Sequence, residues 1–290
     1  MSNFTCMGLS LILNSLKCLE TPNYDIIDLV ANQICLNMDK ANMQDITLIA
    51  NSLSYFHIYH LRFWNSLSSS LSLRHHQITP LQSSLLVAAM AKLDIRLYRV
   101  PFILGILKSK LYPSVDKNEL PSNLLTLVMH SFAKLEFDAR NFYSLCVSSF
   151  GNILLERPEQ VDGQSHVLFL YASVCLLEPE HQIVENSLRY ISTKSEYLNN
   201  YKTIKLKAVV DFLDYKYPDF VNNLDEKLKS FINTLKSTKT KKVDEIDMIL
   251  CDRLKENFLD GPLKSQDYWK RVELNIKEMY SLITFMLTYT

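Results

Sequence analysis

Leu125-TLVMHSFAKL-Glu136 is one copy of a twelve-residue pattern that recurs through most of the chain. Successive copies start at residues 9, 46, 83, 125, 167 and 203, so they lie 36 to 42 residues apart. Self-similarity at such a period is typical of proteins whose repeat unit is a pair of helices, and here it predicts about six degenerate helix-turn-helix repeats. The other copies read Leu9-SLILNSLKCL-Glu20, Ile46-TLIANSLSYF-His57, Ser83-SLLVAAMAKL-Asp94, Val167-LFLYASVCLL-Glu178 and, more weakly, Thr203-IKLKAVVDFL-Asp214.

The positions of this pattern follow helical periodicity. Positions 4, 8 and 11 are apolar in every copy, and their spacings of four and three residues place them on one stripe of a helix. Position 7 is Ser, Ala or Val in every copy, which would let a neighbouring helix approach closely. Position 12 is Glu, His or Asp, so we expect each helix to leave the core there.

A second helix is predicted after each copy, and Pro22, Pro179 and Pro218 lie at or near three of the starts, where the missing N–H costs little. A hairpin of this length cannot bury its apolar faces alone, whereas stacked hairpins can. The predicted fold class is therefore all-α, an α-solenoid with two layers of helices. The predicted second helices cover residues 23–37, 59–73, 97–112, 139–156, 180–194 and 217–236.

The repeat pattern ends near residue 236, which divides the chain into two predicted parts. Residues 1–236 are predicted to form the helical-repeat solenoid. Residues 237–290 begin with a polar, basic linker and continue as a C-terminal helical cap, with helices at about 244–257 and 266–287. The apolar end of that cap would need cover from the stack or from a protein partner.

Composition supports a folded, helical chain. Hydrophobic residues make up 48% of the 290 residues, which excludes a disordered protein, and five glycines are too few for many-turned β architectures. No apolar run approaches the roughly 18 residues that would span a bilayer, so no membrane partner is expected. The first ten residues contain no Arg or Lys, so no presequence is visible.

The sequence contains no recognisable catalytic, cofactor or metal motif. Five glycines cannot supply the phosphate-binding loops or the nucleophile elbow of common enzyme families. His57-x-x-His60 with His75-His76 lacks a carboxylate or thiol at useful spacing. The six cysteines form no C-x-x-C pair and are predicted to be reduced, buried thiols. We therefore expect a protein that is not an enzyme and that binds no cofactor.

Two phrases, Ser131-FAKLE-Phe137 and Ala89-MAKLD-Ile95, resemble the heptatricopeptide repeats of FAST-kinase-like and RAP-domain proteins. The resemblance covers residues 5–235. It implies a mitochondrial or plastid RNA-binding protein that acts in RNA processing, stability or translation, or a subunit of a mitochondrial ribosome. The chain departs from the family pattern because no C-terminal RAP module is visible. Val161-DGQSH-Val167 resembles a short RAP motif, but the fifth repeat follows it directly.

Basic residues are concentrated in one segment. Residues 57–117 contain eight Arg and Lys against two Asp, an excess of six positive charges, although the whole chain has a net charge of zero. Basic side chains hold phosphates and interleaved aromatic rings stack bases, so this segment is a candidate for binding single-stranded or ribosomal RNA. The alternative is a solvated helix face with its aromatic residues in the core. The candidate residues are Arg62, Lys92, Arg96, Arg99, Lys108 and Lys110.

Positions 2 and 6 of the pattern lie one turn apart and off the apolar stripe. In the first four copies position 2 is always Ser or Thr, and position 6 is Asn or His in three of them. A hydroxyl group followed by an amide or an imidazole is suited to contact a base edge. The last two copies carry only apolar residues there, which confines such recognition to the first four repeats. Polar packing between repeats is the alternative. The candidate pairs are Ser10/Asn14, Thr47/Asn51, Ser84/Ala88 and Thr126/His130.

Three functional hypotheses follow from the sequence. The first is an organellar, mitochondrial RNA-binding solenoid. The second is a protein–protein scaffold, such as a helical subunit of a mitochondrial ribosome, which the neutral net charge and the apolar C-terminal helix favour. The third is an incomplete piece of a RAP nuclease-like protein.

Overall fold

The computed structural model describes residues 4–95, 100–176, 181–194 and 198–238. These ranges contain thirteen α-helices and no β-strand, so the predicted all-α class is confirmed. The helices are α1 (Cys6–Cys18), α2 (Tyr24–Leu36), α3 (Met43–Tyr55), α4 (Leu61–Arg74), α5 (Pro80–Lys92), α6 (Val100–Asp116), α7 (Ser122–Lys134), α8 (Arg140–Glu156), α9 (Gly163–Leu176), α10 (His181–Thr193), α11 (Asn200–Lys216), α12 (Pro218–Asn223) and α13 (Glu226–Ser237).

Each copy of the pattern lies on an odd-numbered helix from α1 to α11, which we call the first helices. Each first helix packs against the first helices before and after it, and α2, α4, α6 and α8 pack against one another in the same order. This order of contacts agrees with stacked hairpins, and the solenoid as a whole stays a prediction. Position 7 is buried in every copy except the first, as close approach of neighbouring helices requires.

The core differs from the predicted stripe in one respect. Positions 4 and 8 are buried from the second copy onward. Position 11 is buried at Leu135 and Leu213, but it is exposed at Leu19 and half-buried at Phe56 and Leu93. Leu19, Phe56 and Leu93 are the C-terminal caps of their helices. Position 5 takes their place in the core, as at Leu13 and Val87.

The predicted second helix at 217–236 is wrong, because the structure has two helices there. Leu224 is extended between α12 and α13, and Asp225 begins the second of them. The Asp225 carboxylate accepts a hydrogen bond of 2.8 Å from the backbone N–H of Leu228, which is the usual geometry of an N-cap. The C-terminal cap predicted for residues 237–290 lies, except for its first two residues, outside the described residues.

Position 12 ends the first helices of the first four copies through a left-handed residue, whereas Asp214 of the sixth copy lies inside α11. Glu20, His57, Asp94 and Glu136 have φ between 51° and 56°, a region that side chains usually avoid. The backbone N–H that follows each of them donates back into the last turn, as Ile58 does to the Leu53 carbonyl at 2.9 Å. This is the Schellman arrangement, which is commonly completed by glycine. In these four copies, the residue at position 12 therefore lies at the point where the helix ends.

We expect His57→Gly to stabilise the protein. Glycine adopts positive φ without the steric cost that a side chain pays, and the net gain should be roughly 0.5–1 kcal/mol after the entropy of the unfolded glycine is counted. Thermal unfolding should show a rise of about 2 °C in Tm. His57→Val is the matched control, because a β-branched residue fits this region worst and should lower Tm. Equal Tm values for the two variants would contradict the conformational explanation.

Two further expectations can be compared with the structure. The five described cysteines are free, but Cys18 is exposed and only Cys146 is fully buried, so the prediction of buried thiols is wrong for most of them. Cys18 occupies position 10, which faces away from the core. None of the described helices is both long and apolar enough to cross a membrane.

Candidate nucleic-acid interface

Positions 3, 6 and 10 of the pattern form the surface of the first helices that lies off the core stripe. Their spacings of three and four residues place them on one side of each helix. We call this surface the first-helix face and define it by these positions in the first four copies. Its residues are Leu11, Asn14, Cys18, Leu48, Asn51, Tyr55, Leu85, Ala88, Lys92, Leu127, His130 and Lys134.

Lysines gather along one edge of this face. The Nζ atom of Lys92 lies 5.2 Å from the centroid of the Tyr55 ring, one repeat earlier. Partial burial lowers the pKa of Lys92, and the charges of Lys17 and Lys134 lower it further. Lys17 lies at position 9 of the first copy, next to the face. Lys92 therefore lies in the positive potential of lysines from two other repeats.

Acidic side chains lie at the rim of the same edge, two or three residues after each lysine and just beyond the end of each helix. Glu20, Asp94 and Glu136 occupy position 12, and the Tyr55 hydroxyl donates a hydrogen bond of 3.2 Å to the Glu20 carboxylate. The lysine edge is thus flanked by carboxylates. Binding of a polyanion to this face would therefore depend on contacts with individual side chains more than on an extended positive potential.

Two of the predicted base-contacting residues lie on the open part of the face. Asn14 and Asn51 are half-buried at position 6 of the first two copies. Because α1 packs against α3, these two amides belong to neighbouring helices of one layer. An amide offers both donors and an acceptor, so it can pair with a base edge.

The hydroxyls at position 2 are not available to a ligand, contrary to the prediction for these pairs. Ser10, Thr47, Ser84 and Thr126 are all buried. Each donates to a carbonyl one turn earlier in its own helix, as Thr47 does to Met43 at 2.7 Å. Ser10 also lies 3.1 Å from the Asp45 carboxylate of the next repeat. Polar packing, the alternative drawn from the sequence, describes these residues.

His130 is placed in an internal contact. Its Nε2 atom lies 2.8 Å from Nζ of Lys205, which is 75 residues away on α11, and only 8% of its surface is exposed. Burial, followed by the charges of Lys205 and Lys134, holds the pKa of His130 well below its ordinary value. The neutral imidazole therefore accepts a hydrogen bond from the Lys205 ammonium. The Nε2 atom of His130 therefore already has a hydrogen-bond partner inside the protein.

The remaining predicted residues are divided between the layers. Arg62 is exposed on α4, and Lys108 and Lys110 are half-buried on α6, so all three belong to the second-helix layer. Arg96 and Arg99 lie outside the described residues. The basic segment that is continuous in sequence is thus distributed over two different layers, and Lys92 is its described representative on the first-helix face.

Sequence reasoning missed three residues of this edge, namely Lys17, Tyr55 and Lys134. Tyr55 and Lys134 follow Asn51 and His130 by four residues, and Lys17 follows Asn14 by three, so helical spacing from position 6 could have found them. Among the described residues, no three His, Cys, Asp or Glu side chains are placed to hold a metal ion.

The part of the chain that the structure describes is an all-α protein of helical hairpins recurring every 36 to 42 residues, with an open face on its first helices. No protein-family model matches the chain, and no curated protein matches it either.

Proposed function

We propose that the protein is a non-catalytic RNA-binding protein that holds single-stranded RNA on its first-helix face. The observation that supports this most is the combination of Lys17, Lys92 and Lys134 with the Tyr55 ring and the half-buried amides of Asn14 and Asn51. The resemblance of the repeats to heptatricopeptide proteins supports a mitochondrial location and a role in RNA processing, stability or translation.

Each type of side chain has a distinct task in this proposal. The lysine ammonium groups contact phosphates, the Tyr55 ring offers a surface for a stacked base, and the asparagine amides pair with base edges. Single-stranded RNA fits these tasks because its bases are free to leave the stack, whereas the base edges of a duplex are largely hidden. The carboxylates at the rim oppose indiscriminate binding of polyanions, so base contacts carry much of the affinity.

RNA binding is tested by the salt dependence of affinity for a fluorescent oligouridylate, measured by anisotropy. Three phosphate contacts predict that log K falls with log salt with a slope of about −2, since each contact on a single strand contributes about 0.7. Lys92→Met should reduce the slope by about 0.7 and weaken binding several-fold at moderate salt. The triple variant at Lys17, Lys92 and Lys134 should lose nearly all salt dependence.

Lys110→Met, on the second-helix layer, is the matched control and should bind like the wild type. If Lys110→Met weakened binding while Lys92→Met did not, RNA would bind the second-helix layer and the proposed face would be wrong. If the folded wild type bound no oligonucleotide at low salt, RNA binding by this chain would be rejected.

A protein–protein scaffold is the second candidate, and one observation favours it. The first repeat exposes large apolar side chains, and Ser15 is exposed although position 7 is buried in the later copies. Contiguous exposed apolar surface marks interaction sites in folded proteins. The scaffold would use the outer side of the first repeat, and the C-terminal partner surface predicted from sequence lies outside the described residues. The exposed side chains are Phe4, Met7, Leu11, Leu19, Tyr24, Leu29 and Leu36.

A further inference from the structure

Positions 3 and 6 of the pattern are more exposed in the first three copies than in the later ones. At position 3, Leu11 is exposed and Leu48 and Leu85 are half-buried, whereas Phe169 and Lys205 of the last two copies are 1% and 5% exposed. At position 6, the first three copies are half-buried, the fourth and fifth copies are buried, and Ala208 of the sixth copy is again half-buried. The repeats therefore share a pattern but do not offer the same surface.

The later copies are joined by one long contact. Lys205 of α11 reaches His130 of α7, and its Nζ atom also lies 4.0 Å from the centroid of the Tyr171 ring on α9. The lysine thus passes over α9, which lies between the other two helices in the layer. Ala172 occupies position 6 of α9 and is buried.

The contact uses the groups that a ligand would need. The Lys205 ammonium donates to His130 and lies over the Tyr171 ring, which is a favourable cation–π position. An RNA phosphate or base at this place would have to displace a hydrogen bond and a ring contact inside the protein. The contacts that join the first three repeats, Lys92 over the Tyr55 ring and Tyr55 with Glu20, differ because their side chains are exposed or half-buried, whereas the Lys205–His130 contact is buried.

We infer that the Lys205–His130 contact ends the RNA path. The protein then takes a short single-stranded segment of about four nucleotides along α1, α3 and α5, and the segment ends beside Lys134 of α7. The inference rests on the proposed function. It adds the length of the ligand and the part of the layer that the ligand occupies. Longer RNA would be bound through one such segment at a time, and the rest of the strand would stay free.

Oligouridylates of 3, 4, 6, 8 and 12 nucleotides, labelled with fluorescein and titrated with the full chain, test this length. We expect affinity to rise steeply up to about four nucleotides and then to stay constant once corrected for the number of binding registers. Corrected affinity that keeps rising to eight or twelve nucleotides would overturn the short path. Failure of every length to bind would instead reject RNA binding itself, so the two outcomes are distinguishable.

Lys205→Met gives an independent test, because methionine keeps an apolar chain over Tyr171 but removes the ammonium group. We expect its affinity for the four- and twelve-nucleotide probes to stay within about two-fold of the wild type. Lys207→Met, two residues away and half-buried, is the matched control. A selective loss of affinity for the twelve-nucleotide probe in Lys205→Met would make Lys205 an RNA contact and overturn the inference. The length series on the wild type decides the question if the variant does not fold.

Discussion

The free energy of unfolding is expected to fall by about 3 kcal/mol between pH 7 and pH 4 because of His166 alone. This side chain is 2% exposed, and its ring stacks on Tyr190 with the centroids 4.2 Å apart. Burial lowers the pKa of His166 to about 4, although the charge of Asp162 opposes the shift. The unfolded chain takes up this proton near pH 6.5, whereas the folded protein resists it until about pH 4.

Stability falls as the pH falls because the unfolded state binds the proton first. A folded pKa below the unfolded value means that the unfolded state binds more protons as the pH falls, so stability is complete above about pH 7 and is lost below it. His130 acts in the same direction, because burial and the Lys205 charge hold its pKa well below the ordinary value. With both histidines titrating, the steepest loss is roughly 2–3 kcal/mol per pH unit.

Urea unfolding of two variants over this pH range checks the prediction. His166→Phe keeps a ring against Tyr190 and removes a buried Nδ1 atom that has no hydrogen-bond partner in the described structure, so stability at pH 7 should be equal or higher. His130→Gln keeps an acceptor for the Lys205 ammonium. The double variant should lose most of the acid sensitivity between pH 7 and pH 4. A double variant with the wild-type pH profile would show that other groups cause the acid unfolding.

Arg74→Met is expected to lower the free energy of unfolding by about 3 kcal/mol. The Arg74 guanidinium on α4 donates to the Met38 and Ala41 carbonyls, at 2.7 Å each, and to the Asp39 carbonyl at 3.3 Å. These carbonyls belong to the connection between α2 and α3. Methionine fills similar space but leaves three acceptors without their charged donor.

Arg74→Lys should recover only part of this loss, because one ammonium group cannot match the planar set of donors that reaches three carbonyls. Arg62→Met on the same helix is the control. Its side chain is exposed, so the stability should change by less than about 0.5 kcal/mol. The measurement is urea unfolding at pH 7. If Arg74→Met and Arg62→Met lowered the free energy of unfolding by similar amounts, the hydrogen bonds of Arg74 to the three carbonyls would not be the cause. The result would point to a general effect of charge on α4.

The repeats show how far sequence reasoning reaches. The twelve-residue pattern placed all six first helices correctly and most second helices within a few residues, because helical periodicity depends on neighbours only three and four positions away. It did not predict the break at Leu224, since one aspartate cap competes there with an otherwise continuous pattern. It predicted a polar helix end at position 12 but not the left-handed backbone, which follows from hydrogen bonds within the last turn.

The candidate site shows where sequence reasoning stops. Asn14, Asn51 and Lys92 were predicted from their positions and lie on the first-helix face. From the sequence, the hydroxyls at position 2 are chemically able to contact a base. In the structure they are buried and donate to carbonyls of their own helices. Arg74 was counted with the basic segment and proves to hold a loop 33 to 36 residues away.

The sequence by itself determined the all-α class, the repeat length, the register of each first helix and the small residue where neighbouring helices approach. These properties are local, or they repeat at a fixed interval, so one chain contains the information. Only the tertiary structure decided which polar groups are available to a ligand. Burial depends on helices one or two repeats away, and the contact of Lys205 with His130 across α9 joins residues 75 positions apart that no periodicity connects.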